Sequence, residues 1–202
     1  MMQIYVDYDN MIRYREALVY NFLQNNQEVT KMASSLRSVF QNKDVYVVAG
    51  GPSLDKNIDL LRKRPKNSVL FTVGTSLRRL LAEKIRPDYV MITDPKRPVY
   101  THIKGLEDCN VPLIILSTTY HQIAKKYQGD TYIMYQKGFY EAERYAIKRE
   151  EMLVESGSSV MTTALDYLIQ MGAKRLVFLG LDMAFTGNRS HHSQNYKDIC
   201  PE

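Results

Sequence analysis

A chain of 202 residues with 45% hydrophobic residues and a formal net charge of +5 fits one α/β domain with a well-formed core. No run of about 18 apolar residues is present, and residues 1–11 lack the basic, apolar and small-residue order of a secretory signal. We therefore expect no membrane span. The two cysteines match no metal-binding spacing, which favours reduced thiols and a cytoplasmic location.

The positive charge indicates an anionic partner, which could be a nucleotide, a nucleic acid or an acidic surface. The basic residues are scattered along the sequence, and no basic stripe alternates with aromatic residues. We therefore do not expect nucleic acid as a partner.

The first 42 residues are expected to form an N-terminal helical arm. Residues 11–40 have the apolar spacing of one or two helices, without a strong turn signal between them. Packing of this arm on the main domain is the favoured interpretation, and partner binding is the alternative. Residues 43–202 would then form the main domain.

The main domain alternates between short apolar runs and helical segments. Six runs predict strands, at residues 45–49, 69–73, 89–93, 113–116, 131–135 and 175–180. The segments between most of them predict helices, as at residues 54–64 and 139–149. This alternation predicts a Rossmann-like α/β fold with a doubly wound, mostly parallel sheet.

A small-residue loop, SGSS at residues 156–159, precedes an apolar helix that is expected to stop at Gly172. Ser158 or Ser159 is a suitable N-cap. The first N–H groups of such a helix, with the positive end of its dipole, favour a bound anion. A capped helix with nothing bound is the alternative.

Small and polar residues also follow four of the predicted strands. In chain order these residues are Gly50, Gly51, Pro52 and Ser53; Gly74, Thr75 and Ser76; Asp94; and Asp182. The carboxyl edge of an open α/β sheet is where ligands bind, so we expect a ligand site at this edge. Each turn alone is also explained by ordinary turn chemistry.

Several catalytic motifs are missing from the sequence. It has no P-loop lysine motif, no complete GxGxxG after the first strand, no GxSxG and no HExxH. Asp94 and Asp182 could each bind a ribose hydroxyl, hold Mg²⁺, act as a base or cap a turn. His191 and His192 could act as acid or base, or belong to a surface loop.

The order of these motifs resembles that of a known group. Residues 45–54, VYVVAGGPSL, are similar to the opening strand and loop of bacterial sialyltransferases that use CMP-activated sugars, and residues 156–185 are similar to their second nucleotide-binding segment. A closer resemblance, over residues 44–192, is to the MptE-like domain. That domain is shared by motility accessory factor (Maf) flagellin glycosylation proteins and archaeal 6-hydroxymethylpterin diphosphokinases.

The resemblance implies a role for each motif. The loop at residues 50–53 would line the nucleotide phosphate, and Gly74, Thr75 and Asp94 would face the ribose or the transferred group. The N–H groups of the SGSS loop would contact the base or phosphate, and Asp182 would close the site. The expected binding residues are Gly50, Gly51, Pro52, Ser53, Gly74, Thr75, Ser76, Ser156, Gly157, Ser158, Ser159 and Thr162. The expected catalytic residues are Asp94, Asp182, His191 and His192. The sialyltransferase catalytic histidine would lie beyond Glu202, so we expect a C-terminal portion to be missing.

The resemblance implies a nucleotide-dependent transferase, and the favoured reaction is glycosyl transfer from a CMP-activated nonulosonic acid. The acceptor could be a protein such as flagellin, and no tightly bound cofactor is expected. The alternative enzyme is a diphosphokinase that moves pyrophosphate from ATP to a pterin alcohol, with Mg²⁺ held by Asp94 or Asp182. A non-catalytic nucleotide-binding or scaffold domain is the third hypothesis.

Overall fold

Eight parallel strands form the centre of the fold, in a computed structural model that describes residues 15–182. Seven of them lie side by side in the order β1-β6-β5-β4-β3-β2-β8, and β7 pairs with an extension of β6. The strands are β1 (Lys31–Met32), β2 (Asp44–Val48), β3 (Val69–Val73), β4 (Tyr89–Ile92), β5 (Leu113–Leu116), β6 (Thr131–Gln136), β7 (Leu153–Val154) and β8 (Arg175–Leu179). The parallel sheet and its flanking helices confirm the predicted fold class.

Seven α-helices connect the strands within the described residues. They are α1 (Arg15–Glu28), α2 (Arg37–Phe40), α3 (Leu54–Asn57), α4 (Gly74–Ala82), α5 (Gln122–Lys126), α6 (Tyr140–Arg149) and α7 (Val160–Gln170). Three 3-10 helices, at Ala33–Leu36, Ile58–Lys63 and Arg97–His102, complete the connections. No helix in residues 15–182 is both long and apolar enough to cross a membrane.

The central strands are buried on both faces because helices cover both sides of the sheet. Every residue of β3 is buried, which explains why its sequence is a continuous run rather than an alternating pattern. Val47 points to the face covered by α2 and α7, and Val48 points to the opposite face with Leu54 of α3. On the first face, the ring of Phe40 contacts those of Phe71 and Tyr167.

The segment predicted as a helical arm also contributes a strand to the sheet. After α1 ends at Glu28, Lys31 and Met32 form β1 and pair in parallel with Tyr132 and Ile133 of β6. The Nζ of Lys31 lies 2.5 Å from the Oδ1 of Asp130. This pairing with the edge of β6 overrides the helical spacing of the sequence.

The helix predicted at residues 54–64 forms in two parts. Only its first turn is α-helical, and the chain tightens into the 3-10 helix Ile58–Lys63. A 3-10 helix places residues three apart on the same side. Ile58 and Leu61 are spaced in this way, and both are buried.

Candidate functional site

A cavity of about 570 Å³ opens at the carboxyl edge of the sheet. Its walls come from the turns that follow β3, β4, β5 and β6, from the loop between β7 and α7, and from one residue of α1, Leu18. Parallel strands bring their carboxyl ends to a common edge, which is the usual ligand crevice of an open α/β sheet. The volume lies within the range of small-molecule sites.

The first wall joins the end of β3 to the 3-10 helix that follows β4. Gly74 lies against His102, and both residues line the cavity. A Cβ added at Gly74 would lie 2.6 Å from the Nδ1 of His102 and 3.0 Å from the Cγ1 of Ile92. Glycine is therefore the residue that lets the imidazole ring pack against the start of α4.

The second wall is the Asp94 turn after β4. The Oδ1 of Asp94 accepts a hydrogen bond from the N–H of Lys96 at 2.8 Å, and its carbonyl accepts one from Tyr120 at 3.0 Å. The side chain of Asn21 donates to the carbonyl of Pro95 at 3.0 Å. Asp94 is exposed and lines the cavity, so its carboxylate is fixed in position but open to a ligand.

The third wall is the SGSS loop and the start of α7. Ser159 is the N-cap, and its Oγ accepts a hydrogen bond from the N–H of Met161 at 3.2 Å. At the other end of α7, Gly172 has φ +79°. These observations confirm the predicted helix bounds. They also show that the N-cap is Ser159 and not Ser158.

The SGSS loop is open to a ligand along most of its length. Its preceding residue is anchored, because the N–H of Glu155 donates to the Oδ2 of Asp166 at 2.8 Å. Ser156, Gly157 and Ser158 are exposed, and we find no hydrogen bond from them to another residue in the described range. These three residues line the cavity next to the first turn of α7, where the positive end of the helix dipole favours negative charge.

An ion pair crosses the cavity mouth between the loop after β6 and the SGSS loop. The Nζ of Lys137 lies 2.6 Å from the Oε1 of Glu155, and both side chains are about half exposed. The hydrogen bond to Glu155 raises the pKa of Lys137. A pair with this exposure contributes little to stability, so a ligand can displace it at small cost.

The remaining predicted residues form a separate cluster between the ends of β2 and β8. The N–H of Ser53 donates to the Oδ2 of Asp182 at 2.7 Å, and the Ser53 hydroxyl donates to the Oδ1 of the same carboxylate. The N–H of Gly51 donates to the carbonyl of Gly180 at 2.7 Å. The residues of this cluster, which do not line the cavity, are Gly50, Gly51, Pro52, Ser53 and Asp182.

Two further predicted residues, Ser76 and Thr162, do not line the cavity. The side chain of Ser76 is fully buried at the start of α4. Thr162 packs on Gly157, where an added Cβ would lie 2.9 Å from the Thr162 Cγ2. His191 and His192 fall outside the described residues.

The carboxylates proposed for Mg²⁺ do not share one site. Asp94 lines the cavity, whereas Asp182 is bonded to Ser53. Within residues 15–182, no group of three or more His, Cys, Asp or Glu side chains is arranged to hold a metal ion. Mg²⁺ carried by a nucleotide needs only one or two protein carboxylates besides its phosphates, and Asp94 fits that role.

Sequence reasoning missed residues that hold or line the cavity. Asn21 and Asn25 lie four residues apart on the buried face of α1 and donate to carbonyls of the turns after β4 and β5. Their spacing on an apolar face was the available signal. Lys137 directly follows the end of β6 at Gln136, and that position was the available signal. His102 follows no strand directly, so nothing in the sequence alone marked it.

Together, the parallel sheet, its flanking helices and the cavity at its carboxyl edge define a Rossmann-like α/β domain. The sequence matches the family described as 6-hydroxymethylpterin diphosphokinase MptE-like over residues 20–188. The chain therefore belongs to this family, as its motifs indicated.

A solved structure with a similar fold is that of the MAf glycosyltransferase from Magnetospirillum magneticum AMB-1. The two chains are 20% identical, with a TM-score of 0.61, and the match covers 82% of this chain. It covers 28% of the glycosyltransferase chain, so the present chain corresponds to a little over a quarter of that protein. No curated protein matches the sequence.

Proposed function

We propose that this chain is the nucleotide-binding part of a glycosyltransferase that uses a CMP-activated sugar. The observation that carries the proposal is the single cavity shared by the open SGSS loop at the start of α7 and the exposed carboxylate of Asp94. One wall offers N–H donors to a phosphate, and the other offers an acceptor for hydroxyl groups.

The chemistry of such a site would rest on orientation and on stabilising the departing phosphate. The donor phosphate would lie against the N–H groups of Gly157 and Ser158, where the α7 dipole favours negative charge. Asp94 would accept a hydrogen bond from a hydroxyl of the ribose or of the transferred sugar. Fixing the donor in this way lowers the entropic part of the barrier to transfer.

The family and the fold neighbour both support a transferase. The neighbour is described as a glycosyltransferase, and the resemblance to bacterial sialyltransferases points to CMP and a nonulosonic acid. A protein acceptor such as flagellin belongs to the same proposal. His191 and His192 would act as acid or base in the same proposal.

The second candidate is pyrophosphate transfer from ATP to a pterin alcohol, which the description of the family favours. In this reaction Asp94 would hold the Mg²⁺ that ATP carries. The aromatic pterin would need a flat apolar surface, and Phe139 lines the cavity. This candidate differs from the first in its nucleotide and in its need for a metal.

Isothermal titration calorimetry on the full chain separates the two candidates. We expect CMP to bind without metal, and Asp94→Asn to weaken that binding by about tenfold because a charged acceptor is lost. The matched control is Asp59→Asn, since Asp59 has an 83% exposed side chain and lies outside the cavity. Binding of ATP with Mg²⁺ but not of CMP would favour the diphosphokinase. Binding of neither would overturn the proposal.

A further inference from the structure

The site holds one histidine among the described residues, at a position that none of the motifs marks. His102 ends the 3-10 helix Arg97–His102 and lines the cavity together with Asp94 and the SGSS loop. The other described histidine, His121, does not line it.

The backbone on both sides of His102 is well anchored. Val99 and Ile103 are buried, with 4% and 0% of their surface exposed. The N–H of Ile103 donates to the carbonyl of Tyr100 at 3.1 Å, and the Thr101 hydroxyl donates to the carbonyl of Pro98 at 2.7 Å. The backbone that carries the imidazole is therefore fixed in position.

Gly74 fixes the ring from the opposite side. The added-Cβ position at Gly74 lies 2.6 Å from the Nδ1 and 3.1 Å from the Cβ of His102. Any side chain at residue 74 would push the ring away from the start of α4. The close fit keeps the Nδ1 edge of the imidazole against the end of β3, and His102 is one of the residues that line the cavity.

The charged side chains that line the cavity bear on how it could bind a phosphate. Lys137 is paired with Glu155, and Lys96 lines the cavity close to the negative charge of Asp94. A phosphate needs positive charge or N–H donors, and an imidazolium supplies both in one rigid group.

We infer that His102 binds the phosphate of the nucleotide and makes the site select phosphorylated nucleosides over nucleosides. This inference rests on the proposed function, because it assumes that the cavity takes a nucleotide. His102 would donate an N–H to a phosphate oxygen from the wall formed by Gly74. The start of α7 would contact the same phosphate with its backbone N–H groups.

The test measures the binding of two ligands to each of two proteins. Calorimetry would measure CMP and cytidine with the wild-type chain and with His102→Gln, in which the amide keeps a donor but carries no charge. We expect the substitution to raise the Kd for CMP by about tenfold, the effect of one charge-assisted hydrogen bond. The Kd for cytidine should stay within about twofold. Asp59→Asn serves as the control, because Asp59 is exposed and lies outside the cavity, and this variant should bind CMP like the wild-type chain.

Imidazole ¹⁵N spectra give a second reading of the same contact. A signal of the wild-type chain should shift when CMP is added, and that signal should be missing from the spectrum of His102→Gln.

The outcomes separate the inference from the proposed function. Equal weakening of CMP and cytidine by His102→Gln, or CMP binding that moves no His102 signal, would overturn the inference while the nucleotide site stands. A wild-type chain that binds neither ligand would overturn the proposed function and the inference with it.

Discussion

Two glycines near the carboxyl edge have close neighbours of different kinds. A Cβ at Gly51 would lie 2.4 Å from the carbonyl oxygen of Gly180 and 2.6 Å from the Oδ2 of Asp182. A Cβ at Gly157 would meet only the side chain of Thr162, which is exposed, at 2.9–3.0 Å. Backbone atoms cannot move aside as a surface side chain can.

We therefore expect Gly51→Ala to lower the free energy of unfolding by about 1–3 kcal/mol, the usual cost of overpacking. Gly157→Ala should cost less, because rotation of the exposed Thr162 side chain relieves the contacts with its Cγ2 and Oγ1 and leaves the 3.0 Å contact with its Cβ. Urea denaturation of both variants measures the difference. Equal losses would show that the contact at Gly51 is no more rigid than the one at Gly157.

The carboxylate of Asp182 offers a second prediction at the level of single residues. It accepts two hydrogen bonds from Ser53, one from the N–H and one from the hydroxyl. Asp182→Ala should lower the free energy of unfolding by about 1–3 kcal/mol, because both donors lose a charged acceptor. Asp182→Asn keeps an acceptor oxygen and should lose less, and Ser53→Ala removes only one of the two bonds. Wild-type stability of Asp182→Ala would show that these bonds do not hold the loop.

At the level of elements, α1 connects two of the turns that form the cavity. The amide of Asn21 donates to the carbonyls of Pro95 and Thr118, at 3.0 and 3.1 Å. The amide of Asn25 donates to those of Ser117 and Thr119, at 3.0 and 2.6 Å. The turns after β4 and β5 are thus held by the same helix, rather than only by their own strands.

Replacing Asn25 tests this connection. Its side chain is fully buried, so Asn25→Ala should leave two carbonyls without this donor and lower the free energy of unfolding by about 2–4 kcal/mol. Gln27→Ala is the matched control, because Gln27 lies on the same helix and is exposed. Thermal or urea denaturation measures both. A loss no larger than that of the control would mean that α1 contributes no more than its apolar contacts.

The strands that were predicted from the sequence are those whose own residues form a run of apolar or β-branched side chains. Each has four or more apolar or β-branched residues, and glycine, serine or aspartate closely follows most of them, as Gly74 follows Val69–Val73. The two strands that were missed, Lys31–Met32 and Leu153–Val154, are two residues long and carry no pattern of their own. They exist because β6 offers each of them a free edge, and that edge is a property of the folded sheet.

At the level of the whole molecule, strand order decides which of the predicted residues meet. Local chemistry was enough to identify the Ser159 cap and the Asp94 turn. It could not show that β2 lies beside β8, while β4, β5 and β6 lie on the other side of β3. The turns at Gly51 and Asp182 therefore bond to each other, and the turns at Asp94 and Ser159 share the cavity. Long-range pairing of this kind is not encoded in any single motif.

The stability of the whole chain should also depend on pH through His121, which lies between α1 and α5. Its Nδ1 lies 3.0 Å from the Oδ1 of Asn21, and its Nε2 lies 2.8 Å from the Nε2 of Gln122. A neutral ring that donates from Nδ1 to Asn21 and accepts at Nε2 from Gln122 satisfies both contacts, whereas a protonated Nε2 would face another donor. Burial, and next the charge of Lys125, lowers the pKa of His121.

A lowered pKa in the folded state means that the unfolded chain binds the proton more readily, so protonation favours unfolding. The contribution of His121 is complete above its ordinary pKa of 6.5 and is lost as pH falls through its lower folded value. We expect the free energy of unfolding to decrease on acidification through this window and His121→Gln to flatten that decrease, because glutamine cannot be protonated there. Urea denaturation at several pH values measures the slope for both proteins. The slope of the free energy of unfolding against pH is the quantity to compare, because the substitution changes the contact with Asn21 at every pH. Identical slopes for the two proteins would show that another group takes up the proton.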